Sequence, residues 1–160
     1  MARRSKTVKL LPADTSGSTR HGTSYLYVAL GDPAELVYDA MKKLKDVEFD
    51  TMIGRGLSGA LVVPLLARAM SKHFAIVRKD NDGSHSESRI EGRLGSKWLF
   101  VDDLICSGTT FKFTLDRVKE AKQMEFAGMY MYGSNENPEY RGSVFHSLDV
   151  CKSRYGAWLP

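Results

Sequence analysis

Hydrophobic and polar positions fall into two regimes along the chain. Short apolar runs without a polar break, of which Trp98-Leu99-Phe100-Val101 is the clearest, read as strands buried on both faces. Between them lie segments whose apolar residues recur at helical spacing. Tyr25 to Leu30 predicts a first strand. Asp32 then supplies an N-cap and Pro33 an N1 residue for a helix to about Lys45, with Leu36, Val37, Met41 and Leu44 on its apolar side. Phe49 to Ile53 predicts a strand ending at Gly54, and a strongly apolar helix follows from about Ala60 to Met70. Phe74 to Val77 and Trp98 to Val101 are further strands, Phe111 to Lys122 a helix, and Phe126 to Tyr132 the last core strand. Strands alternating with helices predict an α/β fold, a single domain with a mostly parallel sheet flanked by helices. Ligands in such sheets sit beyond the carboxyl ends of the strands.

The pattern fades at both ends, dividing residues 1–160 into a polar basic arm (1–24), an α/β core (25–132) and a tail (133–160). The arm carries Arg3, Arg4, Lys6 and Lys9. It reads either as loosely packed chain or as a contact for a partner subunit or nucleic acid. Inside the core, Arg78 to Lys97 is a long polar stretch holding Arg78, Lys79, His85, Arg89 and Arg93. A gap of that length in a compact domain is usually functional or disordered.

Composition narrows the classes. At 160 residues, 42% hydrophobic and 26% charged, the chain is an ordinary globular domain. Its net charge of +4 suits a protein that handles polyphosphates and is too small to argue for nucleic acid. Cys106 and Cys151 show no metal-ligand spacing, and no apolar run reaches membrane-spanning length. The expectation is a reduced, cytoplasmic protein with no membrane association.

Chemistry concentrates after the Trp98 strand. Asp102 and Asp103 stand at its carboxyl end. Cys106-Ser107-Gly108-Thr109-Thr110 then forms a small-residue turn into a helix. Free N–H groups and the positive end of a helix dipole favour an anion there, and the hydroxyls add donors. The acid pair suits hydroxyls, a metal ion or a developing cation instead. A ligand with a phosphate at one end and a polyol or metal nearby satisfies both halves. A Walker B strand would also end in acids, but no Walker A sequence occurs in the chain.

A second glycine-rich turn is ambiguous. Gly54-Arg55-Gly56-Leu57-Ser58-Gly59 satisfies a dinucleotide fingerprint, with Asp80 and Asp82 at a suitable distance. That reading leaves the acid pair and the second anion turn unexplained. Arg55 points instead to direct neutralisation of a bound anion. A serine-hydrolase elbow fails because Ala60 stands where its final glycine would fall, two residues after Ser58.

Val101-Asp102-Asp103-Leu104-Ile105-Cys106-Ser107-Gly108-Thr109-Thr110 resembles the phosphoribosyl-pyrophosphate (PRPP) motif of the type I phosphoribosyltransferases. The resemblance covers roughly Asp50 to Tyr132 and is specific in the two turns. It implies that Asp102 and Asp103 hold the ribose hydroxyls, and that Cys106, Ser107, Gly108, Thr109 and Thr110 cradle the 5′-phosphate. Arg55, Gly56, Leu57 and Ser58 resemble the family's pyrophosphate loop, and Arg78-Lys79 the start of its flexible catalytic loop. Catalytic roles then fall to Asp102, Asp103, Lys79 and Arg55. Mg²⁺ would be held through PRPP and water near the acid pair, with no direct protein cage.

The resemblance further implies a nucleobase acceptor, a small hood built from terminal segments, and a homo-oligomer, dimer or tetramer. Members acting on 6-oxopurines have an aspartate where this chain has Cys106, which favours the orotate and adenine branches. A regulator on the same fold, sensing PRPP or a nucleotide, is the rival.

Overall fold

The computed structural model describes residues 32–80, 87–103, 108–132 and 143–145. Its elements are α1 (Pro33–Leu44), β1 (Thr51–Arg55), α2 (Gly56–Ala69), β2 (His73–Val77), β3 (Ile90–Gly92), β4 (Lys97–Asp102), α3 (Thr109–Ala121), β5 (Glu125–Met131) and β6 (Ser143–Phe145). The six strands form one sheet in the order β3-β2-β1-β4-β5-β6. The four central strands are parallel, and β3 and β6 close the two edges antiparallel.

Burial on both faces explains the unbroken apolar runs. Leu99 and Val101 of β4 face a cluster with Leu36, Ala40 and Leu44 of α1 and Val62, Val63 and Leu66 of α2. Trp98 and Phe100 face the opposite cluster, with Phe111 and Val118 of α3. Neighbouring residues therefore serve two cores. On the α3 side, aromatic rings lock together, with centroids 5.0 Å apart for Trp98 and Phe126 and 5.2 Å for Phe100 and Phe111.

Helix α1 begins as its sequence dictates. Asp32 Oδ1 accepts from the Ala34 and Glu35 N–H groups at 3.0 Å each, with Pro33 at the first position. Such a cap contributes about 1 kcal/mol. Met41, expected on the apolar side, is exposed; Ala40 takes the buried place.

Several elements differ from the sequence expectation. Strand β1 runs Thr51–Arg55 rather than Phe49–Ile53, so Gly54 and Arg55 belong to a strand. Helix α2 starts at Gly56 rather than Ala60, because the first turn of a helix needs no intrahelical acceptors for its N–H groups and tolerates glycine there. The stretch Arg78 to Lys97 is not all loop: Ile90–Gly92 pairs with β2 as an edge strand. Finally, β5 is not the last strand, since Ser143–Phe145 pairs with it. The strand expected at Tyr25 to Leu30, the amino-terminal arm and most of the tail lie outside the described residues.

Candidate active site at the carboxyl ends of the strands

Strand β1 and α2 meet through a pair of glycines. A Cβ on Gly54 would lie 2.8 Å from Gly59 Cα, and one on Gly59 would lie 2.7 Å from the Gly54 carbonyl carbon. Only glycine at both lets the first turn of α2 press onto the strand. Gly56 opens that turn at φ 63, a left-handed conformation, and a Cβ there would sit 2.8 Å from Lys79 Cε. The Lys79 side chain therefore runs across the β1–α2 turn.

Ser58 links this turn to the acid pair. Its hydroxyl donates to Asp102 Oδ1 at 3.0 Å, and the Asp103 backbone N–H donates to the same oxygen at 3.0 Å. Asp102 is buried at 6% exposure, while Asp103 is half-buried. Burial first, then the Asp103 carboxylate, push the Asp102 carboxyl up to about 8, against the pull of the Ser58 hydroxyl and the Asp103 N–H. Tyr132 closes the group from the end of β5. Its hydroxyl is buried beside Ser58 and the acid pair, and burial first, then the Asp103 charge, push its pKa up.

Two helix starts face this end of the sheet, and both are unlike that of α1. Neither α2 nor α3 has a side-chain cap or an acidic residue in its first turn. Their first N–H groups and dipole ends thus favour an anion. Gly108, at φ 73, turns the chain into α3, with Thr109 exposed and Thr110 half-buried behind it. Cys106, Ser107 and His85, named in the sequence reading, lie outside the described residues.

The cations divide into engaged and available. Arg78 pairs with Glu91 at 3.3 Å across the β2–β3 hairpin. Arg89 pairs with Asp80 at 2.9 Å, and Arg117 with Glu120 at 2.7 Å. Arg55 enters no ion pair among the described residues; its guanidinium lies 3.8 Å above the Phe113 ring centroid, and its Nε is buried without an acceptor. Leu57 is 64% exposed, so the turn's leucine offers its backbone rather than its side chain. Phe113 and Tyr132 were not legible as site residues, because each reaches the site only through contacts distant in sequence.

This architecture is the fold of the type I phosphoribosyltransferases. The orotate phosphoribosyltransferase of Francisella tularensis superposes with a TM-score of 0.54 at 17% identity, over 76% of this chain and 61% of that one. That of Mycobacterium tuberculosis in complex with PRPP gives 0.54 at 18% identity, over 66% and 63%. By sequence, the chain is 26% identical over 140 residues to the orotate phosphoribosyltransferase of Methanospirillum hungatei, covering 85% of this chain and 80% of the relative. It is also 25% identical over 95 residues to the transcriptional regulator GfcR of Methanocaldococcus jannaschii, covering 54% of this chain and spanning only 44% of the regulator. No protein-family model matches the chain.

Proposed function

We propose that the chain is a phosphoribosyltransferase, moving the ribose 5-phosphate of PRPP to a nucleobase nitrogen with release of pyrophosphate. The observation that carries this reading is the meeting of the acid pair with the arginine-bearing turn, fastened by the Ser58–Asp102 hydrogen bond at 3.0 Å. The bond from ribose C1 to the pyrophosphate oxygen breaks, the bond from C1 to the base nitrogen forms, and the nitrogen's proton leaves to solvent. Positive charge grows on the ribose, where Asp102 and Asp103 receive the ring hydroxyls and supply a negative field. Negative charge grows on the leaving group, where Arg55, Lys79 and the N–H groups of Gly56, Leu57 and Ser58 receive it. Arg78 stands in the same segment but is already engaged by Glu91.

The start of α3, with Gly108, Thr109 and Thr110, takes the 5′-phosphate, joined by Cys106 and Ser107 on the family's pattern. For Mg²⁺, the donor set is one half-buried carboxylate beside a buried one, and no three His, Cys, Asp or Glu cluster among the described residues. That set fits an ion carried by the phosphates of PRPP and water, which when bound neutralises charge on the leaving group. The same reading carries a homo-oligomer, supported by Leu57, Leu61 and Leu65, exposed at a four-residue spacing on α2. It also carries a cytoplasmic setting; no helix among the described residues is long and apolar enough to cross a membrane.

A screen for pyrophosphate release from PRPP and Mg²⁺ with orotate, adenine, uracil, hypoxanthine and xanthine tests the reading. Turnover with one of these bases, reduced by Asp103→Asn far more than folding is, supports it. The similarity to GfcR favours a second reading, a regulator that binds PRPP or a nucleotide without turning it over. PRPP binding with no activity on any base is the outcome that selects the regulator.

A further inference from the structure

Arg55 and Phe113 reach one another only through the fold. Arg55 ends β1, Phe113 lies near the start of α3, and the guanidinium carbon sits 3.8 Å from the ring centroid. At that distance the ring's negative face attracts the cation, and it does so more strongly where water is excluded. Arg117 lies 5.0 Å from the same ring, but its charge is met by Glu120 at 2.7 Å and Asp80 at 3.7 Å. Arg55 has no such carboxylate among the described residues, although the Nε of each arginine is buried without an acceptor. One ring thus carries one balanced cation and one unbalanced cation. An arginine side chain loses substantial rotamer freedom when it is fixed, so a ring that fixes it beforehand removes that cost from binding.

Resting on the phosphoribosyltransferase reading, we propose that Phe113 is a positioning residue. Its ring holds the Arg55 guanidinium at the strand ends, so that the planar fork meets the diphosphate of PRPP already oriented. The 5′-phosphate lies with the backbone at the start of α3 in that reading and does not depend on the Arg55 fork. Loss of the ring should therefore weaken one end of the ligand's contacts and spare the other.

Calorimetric titration of the full chain with PRPP and Mg²⁺, with inorganic pyrophosphate and with ribose 5-phosphate separates these ends. Phe113→Leu should weaken PRPP and pyrophosphate roughly five- to twentyfold, in line with a cation–π contact in a partly desolvated site. Ribose 5-phosphate affinity should stay within about twofold, and Phe113→Trp should restore pyrophosphate affinity, since indole is the better cation–π partner. In an Arg55→Ala background, Phe113→Leu should have no further effect. Pyrophosphate affinity kept in Phe113→Leu but lost in Arg55→Ala would overturn the positioning role alone. Equal weakening of ribose 5-phosphate would overturn it too, by exposing a general disturbance of α3. A wild-type chain that binds neither PRPP nor pyrophosphate would overturn the reading of the site and this inference with it.

Discussion

Two aspartates stand at opposite ends of the parallel strands, and the fold treats them in opposite ways. Asp50 precedes β1 at the amino end. Its Oδ1 accepts from the Thr51 hydroxyl at 2.6 Å, and its Oδ2 accepts from the Ser96 and Lys97 N–H groups at 2.7 and 3.2 Å. Burial pushes its pKa up, but those donors and the nearby His73 outweigh it, and the net shift is downward. Asp102, at the carboxyl end of β4, is pushed up by burial and by Asp103 to about 8. One end of the sheet is closed by a satisfied carboxylate; the other holds a carboxyl whose charge is disfavoured until something arrives to receive it.

The largest expected effect falls at the scaffold end. Asp50→Ala strips acceptors from two backbone N–H groups and the Thr51 hydroxyl. It should cost about 1–2 kcal/mol, since these donors are no more than part-buried and water can take over some of the acceptance. Urea unfolding should show the midpoint falling sharply, while pyrophosphate release per folded molecule stays near wild type. A loss of stability below about 0.5 kcal/mol would mean that water replaces the carboxylate there.

Asp102→Asn should behave in the reverse manner. At pH 7 the unfolded carboxyl is ionised while the folded one is held neutral, so replacing it by an amide should not destabilise the fold and should, if anything, raise its stability. On the proposed function, use of PRPP should fall, because the amide cannot ionise when the ring hydroxyls arrive. A variant as damaged in folding as Asp50→Ala would show that the two ends are equivalent and that Asp102 is structural.

The difference also shows in which parts were readable beforehand. Trp98 to Val101 announced a central strand because burial on both faces forbids polar alternation, and Asp32-Pro33 announced α1 because cap and first residue are local chemistry. The start of α2 was hidden, since Gly56 and Gly59 look like a turn whether they wind into a helix or not. Strand β3 has only three residues, with Glu91 and Gly92 exposed, so no periodicity marks it. Asp102 and Asp103 were visible as a pair, but nothing in their adjacency says that one is buried and the other half-buried. The Arg55–Phe113 stack and the buried Tyr132 hydroxyl depend on chain crossings that local pattern does not encode.

A smaller effect separates the two carboxyls by pH. For Asp50 the folded pKa is depressed, so its stabilisation is present above the unfolded value of 3.8 and is lost as pH falls through the folded pKa. For Asp102 the folded pKa is raised, so its contribution is full below the unfolded value of 3.8 and declines as pH rises toward about 8. Urea unfolding of Asp50→Asn should lack part of the acid loss, and that of Asp102→Asn should lack part of the decline between those values. Identical pH profiles for both variants and wild type would remove the contrast.

The smallest effect is the most specific to the site, and it is a proton. If ring hydroxyls of PRPP donate to Asp102, they favour its ionised form, so binding near pH 7 should release a fraction of one proton. Titration heats measured in buffers of different ionisation enthalpy would then differ in proportion to that fraction. The same experiment on Asp102→Asn should give heats nearly independent of buffer, because the amide has no proton to lose in this range. Binding of PRPP without a buffer effect in the wild type would mean that Asp102 keeps its proton. Asp103, the more exposed of the pair, would then receive the sugar alone, leaving Asp102 as the acceptor that holds Ser58 and the arginine-bearing turn in place.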